Sequence, residues 1–138
     1  MKDLYNNIKV ESVLDPIAVT ATATYTDIDL QGYNSACLLI ATGLDAETLG
    51  ASHKFVFTLK DSDDGTTYAV VETKDMLNLT VASGVILTID HADEDNTLYK
   101  FGYVGGKRYL ELVCTVTGTV NMPISIVAVK GHPEIAAV

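Results

Sequence analysis

Thr97 to Gly118 reads TLYKFGYVGGKRYLELVCTVTG. After Gly105-Gly106, Leu110, Leu112, Cys114 and Val116 fall on one side of an extended chain. Tyr109, Glu111, Val113, Thr115 and Thr117 fall on the other. A period of two describes a strand with one buried face. The segment before the glycines is also rich in apolar and aromatic residues. Adjacent glycines supply the positive φ values of a tight turn, so the stretch is predicted to be a hairpin.

The same test extends along the chain. In HKFVFTLK, His53 to Lys60, the side chains of Phe55, Phe57 and Leu59 share a face, opposite Lys54, Thr58 and Lys60. That is the pattern of a half-buried strand. SACLLIAT, Ser35 to Thr42, is a continuous apolar run of strand length and is expected at the centre of a sheet. Ile17 to Tyr25, Thr66 to Val71, Val85 to Asp90 and Met122 to Lys130 read as further strands. Asp61 to Gly65, DSDDG, reads as a solvated turn. Asp15-Pro16 is expected to break the chain locally, because a residue before proline avoids the helical region. Pro123 is expected to put the last strand at an edge or bulge, with Gly131-His132-Pro133 ending it. Glu72 to Leu79 has room for one helical turn. About eight or nine strands and no helix longer than two turns predict an all-β, single-domain β-sandwich. Residues 1–15 form either an N-terminal arm or a first strand, and residues 16–138 form the sandwich.

A chain of 138 residues buries roughly 68% of its unfolded surface, enough for a core without metal or disulfide staples. No run approaches the ~20 apolar residues of a membrane span. The first residues lack an apolar signal-peptide core, so the protein is expected to stay in the cytoplasm of the cell that makes it. The formal net charge of −9 repels phosphate backbones and anionic lipid, which argues against nucleic acid and membrane as partners. Cys37 and Cys114 both sit in apolar runs and are expected to be reduced, buried thiols. A disulfide between them would need a Cα separation that spacing does not give.

Several clusters invite a chemical reading. Asp61, Asp63 and Glu72 occupy positions one, three and twelve of a calcium-loop count, but Gly65 falls at position five and no helices flank it. Asp90, Asp93, Glu94 and Asp95 form a second acidic loop, expected to be solvated. His53, His91 and His132 lie in separate segments without metal-ligand spacing. Nucleophile-elbow and phosphate-loop patterns are missing from the sequence. The expectation is a protein without catalytic residues, metal or cofactor. Tyr99, Phe101 and Tyr103 share one strand face, which suits packing between sheets or an aromatic platform for a carbohydrate. With Tyr5, Ile8 and Val10 near the amino terminus, they are the candidate interface residues.

MKDLYNNIKV at the start, TATATYTDIDLQGYNSACLLIATG at 20–43, FTLKDSDDGTTYAVVE at 57–72, NTLYKFGYVGGKRYLELVCTVTG at 96–118 and VAVKGHPE at 127–134 resemble capsid decoration (cement, or head-stabilising) proteins of tailed bacteriophages and prophages. The resemblance implies a jelly-roll sandwich on the virion surface, made in the host bacterial cytoplasm. It implies a homodimer or homotrimer whose partner is the major capsid protein, and that contacts between capsid subunits are stabilised. The N-terminal segment, or an edge strand near Pro123, is then expected to pair with a capsid strand. A tail or neck module and a carbohydrate-binding, adhesin-like domain are the competing functions.

Overall fold

A computed structural model describes residues 3–134, apart from the side chain of Asp27. Met1 and Lys2 of the expected N-terminal arm, and residues 135–138 of the expected sandwich, lie outside the described residues. Among the described residues nine strands follow in order. They are β1 (Ile8–Val19), β2 (Ala23–Asp29), β3 (Tyr33–Thr42), β4 (Lys54–Ser62), β5 (Ala69–Val70), β6 (Val85–Ile89), β7 (Leu98–Tyr103), β8 (Tyr109–Thr117) and β9 (Met122–Pro133). The helices among the described residues are single 3₁₀ turns at Tyr5–Asn7, Thr73–Asp75 and Ala92–Glu94.

The strands divide into a first sheet, ordered β1-β9-β3-β7, and a second, ordered β2-β8-β4, with β5 and β6 both along the far side of β4. All pairs are antiparallel. The pairing follows a simple rule. β1 meets β9, β2 meets β8, β3 meets β7, and β4 meets β5 and β6, so the chain doubles back on itself as one long ribbon. Two further pairings, β3 with β9 and β4 with β8, roll that ribbon into two facing sheets. This is the jelly roll, and the β-sandwich expectation holds.

Alternation sets the core. From the first sheet, Leu38, Ile40, Met122, Ile124 and Ile126 point inward with at most 1% exposure. Facing them, Phe55, Phe57, Leu59, Leu110, Leu112 and Cys114 are fully buried. The period-two reading of β4 and β8 is therefore correct, and β3 is central as its apolar run predicts. Burying each large side chain stabilises the fold by roughly 1.5–3 kcal/mol relative to exposing it.

Five features differ from the sequence reading. β7 and β8 are not a hairpin, for they belong to opposite sheets, and Val104 to Arg108 carries the chain across the sandwich. Gly106 takes the positive φ (75°). Gly105 serves a close approach, since a Cβ there would lie 2.5 Å from the Tyr103 hydroxyl. Asp15-Pro16 does not end a strand. β1 runs through it with register shifts between Ser12 and Ile17, which is tolerable because β1 lies at a sheet edge. The strand predicted over 17–25 instead divides at residues 20–22, between the sheets. Finally, β9 is no edge. It lies between β1 and β3 and continues through Gly131-His132 to Pro133, so Pro123 marks its start and gives no free edge for a partner strand. The return strand expected over Thr66–Val71 shrinks to Ala69–Val70.

Phe57→Ala, at the middle of β4, is predicted to cost about 3–5 kcal/mol of unfolding free energy in urea titrations. Val113→Ala, on the outer side of β8, is predicted to cost about 1 kcal/mol or less.

Candidate functional site

The sandwich has two outer sheet faces, and they differ in chemistry. Outward positions of the second sheet include Thr24, Thr58, Thr88 and Thr115 beside Val56 and Val113. The Lys60–Glu111 ion pair (3.7 Å) lies on the same face. It is a mixed surface suited to water. The first sheet presents rows set by its register: Val10, Val129, Cys37 and Gly102, then Ser12, Val127, Leu39 and Lys100, then Ser125, Ala41 and Leu98. No carboxylate residue is itself a member of these rows, but the Asp15 carboxylate reaches their edge, where it accepts from the Ser12 hydroxyl (2.6 Å). Lys100 is their one charge.

One end of this face deepens into a groove of about 870 Å³. Cys37, Val129 and Gly102 contribute to its lining, as do Leu4 and Ile8 from one side and Leu77 and Leu79 from the other. The Leu77 N–H donates to the Gly102 carbonyl (3.0 Å) and the Val104 N–H to the Asp75 carbonyl (2.7 Å), so residues 75–77 cap the free edge of β7. Glycine at 102 lets Leu77 cross the strand, because a Cβ there would sit 2.9 Å from a Leu77 methyl.

The six candidate interface residues separate into two groups. Tyr5 is 87% exposed, Val10 is 58% exposed, and Ile8 between them is half-buried at the groove. Tyr99, Phe101 and Tyr103 do share a face, but it is the inner one, opposite the buried Ile40, Leu38 and Ala36. Tyr99 donates its hydroxyl proton to the Glu94 carbonyl. Tyr103 donates to Asp61 Oδ2 at 2.7 Å. Phe101 packs against the core and borders the groove. The aromatic row is intersheet packing and presents no flat platform to a sugar.

Two polar clasps at the sandwich ends went unread in the sequence. Lys130 points into the protein with its side chain 4% exposed. Its Nζ donates to Glu11 Oε2 (2.7 Å) and to the Asp29 carbonyl (2.9 Å), which ties β1 and β9 to the end of β2. Lys9 pairs with the same Glu11 (2.8 Å). Arg108 forms a fork on the Asp29 carboxylate at 2.9 Å on both sides and lies 4.7 Å over the Tyr109 ring. The bonds from Lys130 and Lys9 lower the Glu11 pKa, and Arg108 brings that of Asp29 down to about 2. The second clasp is Asp61, which is buried at the end of β4 and not part of the solvated turn. It accepts from Tyr103 and lies 3.7 Å from Lys107 Nζ. Burial, and then that bond, raise the Tyr103 phenol.

The acidic loops and the histidines have separate local partners. Asp63 points to solvent at 82% exposure, and Asp64 spends its carboxylate on the N–H groups of Thr66 and Thr67 (2.9 Å each). The Glu72 N–H donates to Asp75 Oδ2 (2.9 Å), and the Glu72 carboxylate pairs with Lys74 (3.1 Å). In the other acidic loop, Glu94 accepts from the N–H groups of Asp90 and His91. His53 accepts from the Thr119 N–H, and His132 bonds Ser35. Among the described residues no three His, Cys, Asp or Glu side chains converge as metal ligands. Both cysteines are free, Cys37 facing outward and Cys114 inward from the opposite sheet. Burial raises the Cys114 thiol to about 12.

Two outcomes follow from these placements. Ellman's reagent is predicted to modify Cys37 in the folded protein and Cys114 only after denaturation. For acid sensitivity, the Glu11 and Asp29 carboxyls have folded pKa values below their unfolded ones. Their stabilisation is full above the unfolded values, near ~4, and is lost as pH falls towards the folded values. The urea midpoint is therefore predicted to drop between about pH 5 and about pH 2. Glu11→Gln, which leaves Lys130 buried without its counter-charge, is predicted to lose roughly 1–3 kcal/mol at neutral pH and to show a shallower acid drop.

No protein-family model matches the chain, and no curated protein matches it. Among solved structures it is similar to the VP2 subviral particle of infectious bursal disease virus, at 12% identity and a TM-score of 0.29. That match covers 92% of this chain and 42% of the other. A likeness at this level carries no argument, and the jelly-roll assignment rests on the strand pairing.

Proposed function

We propose that the chain is a structural virion protein of the capsid-decoration kind. It binds the outer surface of a tailed-phage capsid and stabilises contacts between major capsid protein subunits, without catalysis. The observation that carries this reading is the apolar groove beside an exposed apolar turn. Leu4 (68% exposed) lines it, Tyr5 (87%) follows in the same turn, and the first residue of the edge strand β1, Ile8, lines it as well. A concave site lined largely by apolar side chains, beside an exposed leucine on an otherwise acidic protein, suits contact with another protein. The sequence resemblance supplies the identity proposed for that partner.

The mechanism is adhesive. The jelly roll is a rigid block, with its charges held in clasps and its core packed between the sheets. Its docking end presents a turn and a groove. Each contact is small, but repetition over a lattice, with copies linked to one another, multiplies weak sites into durable attachment. The carbohydrate-binding alternative loses its main support, since its aromatic row is turned inside.

Ile8 to Val10 pair with Gly131 to Val129 of β9, so a truncation that spares the sheet stops before Ile8. Deleting residues 1–7 is predicted to weaken binding to purified capsids lacking this protein by about tenfold or more, with an unchanged circular dichroism spectrum. Undiminished binding by the truncated protein contradicts the role given to Leu4 and Tyr5.

A further inference from the structure

We infer that the groove receives an amphipathic α-helix of its capsid partner, laid apolar side down and carrying an aspartate or glutamate that pairs with Lys100. The inference rests on the capsid-docking reading and names what enters that site. The first observation is shape. The groove runs across β1, β9, β3 and β7, so its sides stand three strand spacings apart, about 14 Å. Leu4 and Ile8 form one side, Leu77 and Leu79 the other. A helix with its side chains is ~10–12 Å across. Val129 and Cys37 give the floor its apolar surface, and the next outward position along β9, Gly131 opposite Ser35, adds no side chain to fill it.

The second observation concerns the backbone. An extended segment binds a sheet through free N–H and C=O groups along its path. Here β9 lies between β1 and β3, and β3 between β9 and β7, so ladders take up the backbone groups of the floor. Residues 75–77 close the free edge of β7, and the free edge of β1 points away from the floor. An extended chain lying in the groove would leave its own peptide groups unpaired against apolar surface, which is costly. A helix arrives with its backbone already hydrogen-bonded and offers apolar side chains at the three- and four-residue spacing of groove recognition.

The third observation is charge. Lys9, Lys60, Lys74, Lys107 and Lys130 each pair with a carboxylate. Among the described residues Lys100 has no such partner, and neither has Lys54 on the other sheet. Lys100 is exposed and lines the groove on its β7 side. Asp3 lines the β1 side, where its carboxylate accepts from the Asn6 N–H (3.2 Å) and the Asn6 side chain. The remaining titratable group, His132, is bonded to Ser35. The two sides thus differ in sign. An acidic residue is attracted on the β7 side and repelled on the β1 side, which orients the helix.

Binding to purified capsids lacking this protein, with photo-cross-linking from benzoylphenylalanine in place of Leu77, tests the inference. Lys100→Glu is expected to weaken binding by about tenfold or more, and Lys100→Met, which keeps the stem, by less. Near-ultraviolet spectra are expected to stay unchanged, because Lys100 is exposed. Cross-links are expected within one partner segment at residues three or four apart. Binding indifferent to Lys100→Glu overturns the inference. So do cross-links at alternate residues, the mark of an extended segment, and cross-links to another copy of this chain. If deletion of residues 1–7 still weakens binding in those cases, the capsid-docking reading outlives the inference. Unaltered protein that does not bind capsids removes both.

Discussion

The pairing of β3 with β9 and of β4 with β8 is the constraint on which the structure depends. Without it the chain is a long antiparallel ribbon with one apolar side. With it, Tyr33 stands opposite Pro133 and Thr42 opposite Ile124, while Lys54 stands opposite Thr117 and Ser62 opposite Tyr109. Those registers set which side chains face the core, because a slip of one residue would turn every inward residue out. They also bring together residues far apart in sequence. The loop-closure entropy of such contacts must be met before they stabilise anything, which makes the fold slow to form and cooperative once formed. The polar clasps complete it at the ends, where the corners leave charged groups beside apolar ones.

How much of this was legible follows from what periodicity can report. Alternation identifies a buried side, so Phe55, Phe57 and Leu59 on β4 and Leu110, Leu112 and Cys114 on β8 could be named from sequence. Alternation does not say in which sheet a strand lies. Gly105-Gly106 therefore read as a hairpin turn, when one glycine turns the chain and the other clears the Tyr103 ring as the chain changes sheets. Nor does it separate a buried face from a presented one. Tyr99, Phe101 and Tyr103 were aligned correctly, and only the pairing of β7 with β3 shows that the row faces inward. Prolines misled for a related reason, since Pro16 sits in a tolerant edge strand and Pro123 at the first turn of an interior one.

Charged residues were the hardest to read. Lys130 ends a run of apolar alternation on its buried side, and the alternation itself was the available signal that its ammonium group lies inside near Glu11 and Asp29. Asp61 belongs to the buried set of β4 by the same count, yet the run DSDDG hid it among turn residues. The interface candidates Tyr5, Ile8 and Val10 were legible as apolar residues in a polar segment. The groove beside them was not, because its far wall, Leu77 and Leu79, comes from a loop whose course over β7 depends on the sheet.

A rolled ribbon and a groove beside an exposed apolar turn support one proposal, lattice-wide adhesion. Its central claim concerns abundance on the particle. The most direct measurement is the copy number of this protein in purified phage particles, by quantitative mass spectrometry against the major capsid protein. The account predicts an amount comparable to that of the capsid protein. A trace amount, as for a neck or tail component, or complete absence from the particle would contradict it.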